Sequence, residues 1–185
     1  FELSCDDIPL IGTHNQWNVA AAMMLCHTAG IPVNTLDVTG LKPLEHRLEL
    51  ICEVKGARWV NDSKATNVEA TAAALSGVSA PHIVLLGGAG KEGAQYVSLV
   101  PLLNNKARHV ICFGQSGLEI VNDISSHPSC HLVTNLEDAM RLAHSLSQAS
   151  DTVLLSPACA SFDAFDNFMH RGQTFREFAL QLEST

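Results

Sequence analysis

The chain has 185 residues, 46% hydrophobic and 16% charged, a balance that describes a well-packed globular protein and excludes a disordered one. A formal net charge of -8 argues against nucleic acid as the main partner, because a phosphate backbone calls for a concentrated basic face. No apolar run approaches the roughly 18 residues that cross a bilayer and no signal peptide is present, so no membrane partner is expected.

The six cysteines (Cys5, Cys26, Cys52, Cys112, Cys130, Cys159) lie far apart, several inside apolar runs, which predicts reduced buried thiols of a cytoplasmic protein. The chain begins at Phe1 and not at Met, so a piece of a longer protein is expected.

In chain order, residues 1–13 are expected to be extended. From His14 to Thr28 the apolar positions Trp17, Ala20, Ala21, Met24 and Leu25 recur at helical spacing, and Gly30 with Pro32 stops the helix. Residues 31–43 read as irregular, and a domain boundary is expected there, separating 1–43 from 44–185. Beyond it, Arg47–Val54 and Arg58–Val60 read as strands around a Lys55-Gly56 turn. Thr66-x-x-Glu69 is a capping-box pattern that opens an alanine-rich helix to about Leu75. Strands are expected at His82–Leu86, Val110–Phe113, His131–Val133 and Thr152–Leu155. Between them fall helices near Val97–Asn104, with Pro101 at its start or kinking it, at 117–124, and at Leu136–Gln148 capped by Asn135, with a helical tail at the end. Alternating strands and helices with short connections predict an α/β fold: a Rossmann-like, mostly parallel six-stranded sheet with helices on both faces.

Such sheets bind ligands at the carboxyl ends of their strands. Four expected loops lie there. Asn61-Asp62-Ser63-Lys64-Ala65-Thr66-Asn67 gathers a carboxylate, an ammonium, two hydroxyls and two amides at a helix entrance, where free N–H groups and the helix dipole favour anions. The same residues also suit a plain helix-capping turn. Gly88-Ala89-Gly90-Lys91-Glu92-Gly93 spells G-x-G-x-x-G, but the next strand ends Cys112-Phe113-Gly114-Gln115 without the acidic residue that holds a ribose. A phosphate-binding P-loop fails as well, since Leu85 stands where its first glycine belongs and Glu92 follows Lys91. What remains is a small-residue turn that projects Lys91 toward the strand ends. Ser156-Pro157-Ala158-Cys159-Ala160-Ser161 offers hydroxyls and a thiol, yet no histidine pairs with Cys159 in the sequence, so a cysteine nucleophile is not expected. Ser161 could cap a helix starting at Phe162 or grip an anion, and Phe162, Phe165 and Phe168 read as a core-facing helix side. The His127-Pro128-Ser129-Cys130-His131 cluster reads as a surface loop, so no metal ligands are expected in this chain. Gln115-Ser116 carries no evident chemistry, and Arg47 alone is ambiguous.

Taken together, these strings resemble the Mur ligases of peptidoglycan synthesis, and within that family the D-glutamate-adding branch. The matching pieces are Gly12–Asn18, Pro43–Arg47, Asn61–Asn67, Gly87–Lys91, Ser156–Phe162 and Asn167–Gly172, which together cover nearly the whole chain. The resemblance implies an ADP-forming ligase that uses ATP to activate UDP-N-acetylmuramoyl-L-alanine as an acyl phosphate, which the D-glutamate amine then attacks. It implies Asn15, Asn18 and Arg47 on the adenine and ribose side of ATP, Asp62 on the ribose hydroxyls, and the catalytic Lys64 beside the phosphates. It further implies Lys91 and Ser161 on the D-glutamate carboxylates, with Thr66, Phe162 and Phe168 shaping that pocket. Ala89 departs from the acidic residue common in the family. The implied P-loop, Mg2+ ligands and modified lysine belong upstream, so residues 1–43 match the end of a central ATPase domain and 44–185 a complete C-terminal domain. The isolated chain is therefore expected to be inactive, and the whole protein a cytoplasmic monomer. The competing expectation is a non-catalytic Rossmann-like nucleotide- or ligand-binding module, or an oxidoreductase domain that has lost its acidic ribose ligand.

Overall fold

The computed structural model describes residue 4 and residues 7–183; part of the expected N-terminal extended segment (1–3 and 5–6) lies outside the described residues. Helix α1 (Thr13–Thr28) begins after Gly12, whose φ of 100° turns the chain into the helix. Among the described residues before it none is in a strand, and 10–12 form bends. Trp17, Met24 and Leu25 of α1 are 70–73% exposed, so the apolar residues that mark the helix are not buried by this fold.

Strands β1 (Glu49–Val54) and β2 (Ala57–Asn61) pair antiparallel through Lys55-Gly56, with φ of 52° and 78°. Two consecutive positive φ angles give the turn the twist a two-residue hairpin requires. Helix α2 (Val68–Gly77), β3 (His82–Gly87), α3 (Val100–Lys106), β4 (Ala107–Phe113), α4 (Gly117–Asp123), β5 (Cys130–Leu132), α5 (Leu136–Leu146), β6 (Thr152–Leu155) and α6 (Phe168–Glu183) follow. Pro101 sits in the first turn of α3, after a 3-10 turn at Tyr96–Leu99, so it starts the helix and does not kink it.

The six strands lie in the order β1-β2-β6-β3-β4-β5, parallel throughout except for the β1–β2 pair. Three crossovers run in one direction, from β2 to β3 to β4 to β5, and the return to β6 reverses it. Right-handed crossovers then put the return helix on the opposite face. The strand residues divide accordingly. Val84, Leu86, Val110, Cys112 and Leu154 pack with Leu75, Leu103 and Ile120 of α2, α3 and α4. Ile83, Leu85, Ile111, Val153 and Leu155 pack with Met140 of α5 and Phe175 of α6. Such continuous apolar strands, covered on both sides, are what a parallel sheet demands. Trp59 of β2 anchors α6 through Phe175 and Phe178, at ring distances of 5.6 and 6.1 Å.

Three local expectations need correction. The helix cap at the polar turn is Asn67, whose side chain accepts from Ala70 N at 2.8 Å; α2 therefore starts one residue later than a Thr66 cap would set it, and it extends to Gly77. Asn135 caps α5 as expected, accepting from Asp138 N at 2.9 Å, although α5 ends at Leu146. No helix starts at Phe162. Residues 161–165 form a turn in which Ser161 O accepts from Ala164 N and Phe165 N, α6 begins only at Phe168, and Phe162 is 74% exposed. Phe162, Phe165 and Phe168 thus share no helix face. The five described cysteines form no disulfide, and no described helix is long and apolar enough to cross a membrane.

Candidate functional site

Because β2, β6, β3 and β4 run parallel, their carboxyl ends deliver four loops to one edge of the sheet: 62–67, 88–95, 114–116 and 156–167. The first is held from inside. Asn61 donates to Gly172 O at 3.1 Å and to His46 Nδ1 at 3.0 Å, while its own oxygen accepts from Ser63 N at 3.1 Å. Asp62 is 7% exposed, accepting from Ser156 Oγ at 2.8 Å and Leu48 N at 3.3 Å. Burial pushes its carboxyl up to about 7; the Ser156 hydroxyl, the Leu48 amide and the Arg47 charge pull the other way. A carboxylate poised there at neutral pH is eased into its ionised form by further donors, such as the hydroxyls of a ligand.

The loop then divides between two cavities on either side of the α2 N-terminus. Arg47, Asp62, Lys64 and Ala65, with Ala70 and Ala73 of α2, line one of about 290 Å³. Thr66 and Asn67, with Lys91, Gln95, Ser98 and Ala158, line the other of about 490 Å³. Lys64 Nζ lies 4.2 Å from the centre of the Phe168 ring, a cation–π contact that fixes an otherwise exposed ammonium. Of the ten residues singled out from the sequence, Arg47, Asp62 and Lys64 thus share one cavity and Thr66 and Lys91 the other. Phe168 joins them through Lys64. Ser161 is 2% exposed in its turn behind the Gly-rich loop, and Phe162 points outward. Asn15 and Asn18 lie on α1, Asn15 donating to Ile11 O at 2.8 Å, and are not among the residues that line these cavities.

The residue that holds the edge together was not singled out. Arg171 is fully buried, and its guanidinium donates to Ser63 Oγ (3.0 Å), Ser63 O (2.9 Å), Cys159 O (3.1 Å), Ala160 O (3.2 Å) and Gly87 O (3.4 Å). It therefore ties α6 to the 62–67 loop, the end of β3 and the 156–167 loop at once. Burial lowers its pKa to about 10, which leaves it charged at neutral pH. Only a planar five-donor fork fits such a set of carbonyls. In sequence it is one arginine in a mixed polar helix, and nothing there signals its burial. Gly172 beside it is equally constrained, since a Cβ would collide with the His46 ring.

Cys159 is buried, accompanied by Tyr96 Oη at 3.1 Å, and burial raises its pKa, so the thiol is no nucleophile. Among the described residues no group of three or more His, Cys, Asp or Glu is arranged to hold a metal ion.

Fold and site define the class: an α/β domain whose strand-end loops present cationic and hydroxyl side chains in two adjoining cavities. The model of the family described as "Mur ligase, glutamate ligase domain" matches residues 46–159, and the chain belongs to the Mur ligase family. UDP-N-acetylmuramoylalanine--D-glutamate ligases of Nitrosococcus oceani and Vibrio cholerae are each 40% identical to it, over 98% and 97% of this chain and 41% of theirs. The chain thus spans about two-fifths of the length of these curated relatives. Two solved structures share the fold: UDP-N-acetylmuramate-alanine ligase MurC of Thermotoga maritima (TM-score 0.67, 16% identity, 94% of this chain and 39% of that one), and MurF ligase of the same organism in complex with ADP (TM-score 0.62, 20% identity, 94% and 39%).

Proposed function

We propose that this chain is the C-terminal part of a ligase that joins D-glutamate to UDP-N-acetylmuramoyl-L-alanine at the expense of ATP. The observation that carries this reading is the division of one loop between two cavities, Asp62 and Lys64 on one side and Thr66 with Lys91 on the other. An enzyme that phosphorylates a carboxylate and then aminates it needs a nucleotide and an amino acid side by side. The boundary near residue 43 belongs to the same proposal. The exposed Trp17, Met24 and Leu25 of α1 suit burial against the three-fifths of the relatives' length that this chain does not span.

In this reading the smaller cavity faces ATP. Asp62, ionised, accepts the ribose hydroxyls; Arg47 forks to or stacks on the nucleotide; Asn15 and Asn18 approach it from α1. Lys64, oriented by Phe168, offsets charge on the transferring phosphoryl group. The substrate carboxylate attacks the γ-phosphorus and ADP leaves. D-glutamate, its carboxylates held by Lys91 and Ser161 in a pocket bounded by Thr66, Phe162 and Phe168, attacks the acyl carbon through its neutral amine, which gives up a proton to the departing phosphate or to solvent. The tetrahedral intermediate collapses to the amide and releases phosphate. Mg2+ finds no ligand set among the described residues, and its ligands are expected in the part of the relatives' length that this chain does not span. The whole protein is expected to work as a cytoplasmic monomer. Lys91→Ala in the full-length protein tests the assignment: the KM for D-glutamate rises by about tenfold or more, the scale of a lost charged hydrogen bond, while the KM for ATP stays put. An unaltered D-glutamate saturation curve would remove Lys91 from the site.

A further inference from the structure

The loop at 114–116 lines neither of the two ligand cavities, yet it is tied to both loops that carry the amino-acid-binding side chains. Ser116 N donates to Gly88 O at 2.9 Å, and Ser116 Oγ accepts from Gly90 N at 2.9 Å, one residue before Lys91. On its other side, Gln115 N donates to Asp163 Oδ2 at 3.1 Å, in the same turn as Ser161. The Gly-rich loop and the 156–167 loop are joined directly as well, through the Ala89 and Ala160 backbone pair at 2.9 and 3.0 Å. The three loops therefore form a closed circuit in which each is bonded to the other two.

The backbone is shaped to allow it. Gly114 has a φ of 72°, and a Cβ there would crowd Asp163 Oδ2 and Gly88 N; a Cβ on Gly90 would crowd Ser116 Oγ and Tyr96 Oη. Within the circuit's hydrogen bonds, two side chains take part: the Ser116 hydroxyl and the Asp163 carboxylate. Everything else is backbone.

We infer that Ser116 and Asp163 are positioning residues that set the separation between Lys91 and Ser161, and through it the fit of a dicarboxylic amino acid. The inference rests on the proposed function. Two cationic or hydroxyl groups that grip two carboxylates discriminate by distance, so slack in the third loop loosens amino-acid recognition without touching the nucleotide side. Asp163 is exposed, and its role is that of an acceptor for one backbone amide, so asparagine can replace it where alanine cannot.

The test uses the full-length protein with ADP release as readout, comparing parent, Ser116→Ala, Asp163→Ala and Asp163→Asn. The parent's use of D-glutamate decides the proposed function; the variants decide this inference. Ser116→Ala and Asp163→Ala are expected to raise the KM for D-glutamate by about tenfold, the scale of one lost hydrogen bond. The KM for ATP and kcat should stay within about twofold, and Asp163→Asn should recover most of the parent value. With an active parent, an unchanged D-glutamate KM in both alanine variants overturns the inference. So does a KM that rises equally for all substrates, which marks general loosening. Should Ser116→Ala lower the melting temperature sharply, the exposed Asp163 pair alone decides it by the same two criteria.

Discussion

Asp62 and Arg171 carry charge into the interior in opposite ways. Arg171 is surrounded by four carbonyls and a hydroxyl, and its removal takes the guanidinium donor from all of them, Ala160 O keeping a backbone donor from Ala89 N in the loop circuit. A Lys in its place keeps the charge but cannot reach five acceptors from one ammonium. We expect Arg171→Lys to cost roughly 2–4 kcal/mol in urea unfolding of this chain, the scale of a few buried polar groups left unpaired. A cost under about 0.5 kcal/mol, the scale of a surface substitution, would show that the fork is dispensable. Asp62 behaves differently because its pKa of about 7 lies above the ordinary carboxylate value. The folded state then holds this proton more tightly than the unfolded one. Its cost to stability is absent below about pH 4, grows as pH rises, and is complete above about pH 7. Asp62→Asn should therefore raise the melting temperature at pH 8 and leave it near the parent's at pH 4, while weakening nucleotide binding in the full-length protein. Equal shifts at both pH values would contradict the buried-carboxylate account. His82 runs the other way: burial, with Lys106 and Arg58 nearby, lowers its pKa to about 4, so its cost appears as pH falls below about 6.5 and is complete below about 4.

At the scale of elements, the polar turn before α2 shows where reading residues in line reaches its limit. Thr66-x-x-Glu69 and Asn67-x-x-Ala70 are both plausible caps, one residue apart. The tie is broken by tertiary structure, which rotates Thr66 toward the larger cavity and leaves Asn67 to accept from Ala70 N. Asn67→Ala should then destabilise the chain by about 1 kcal/mol and Thr66→Ala by under about 0.5 kcal/mol in chemical denaturation, and the reverse order would restore the Thr66 cap. The strands were legible because a parallel sheet covered on both faces needs runs such as Ile83–Leu86 and Val153–Leu155, and few other structures do. The phenylalanines at 162, 165 and 168 misled because a spacing of three suits a helix face and a tight turn equally. The two are separated because the turn made by Ser161 O is not continued by the residues after it, and α6 begins only at Phe168.

At the scale of the whole molecule, the order of the strands brings four loops to one edge, and the loops then assemble a site that no single motif announces. Asp62, Lys64, Thr66 and Lys91 could be singled out in the sequence because their loops carry unusual polar density. Arg171, Ser116 and Asp163 could not, because their roles depend on partners such as Ser63, Gly90 and Gln115, which lie 108, 26 and 48 positions away in the chain. α1 leaves Trp17, Met24 and Leu25 exposed, and the chain spans about two-fifths of the length of the curated relatives it matches. The most direct test is ADP release by the full-length protein and by residues 1–185 alone, each given ATP, Mg2+, UDP-N-acetylmuramoyl-L-alanine and D-glutamate. The account predicts that the full-length protein sustains ADP release over many turnovers only when both substrates are present, and that the isolated chain releases none. ADP release by the isolated chain, or release by the full-length protein that ignores D-glutamate, would contradict it.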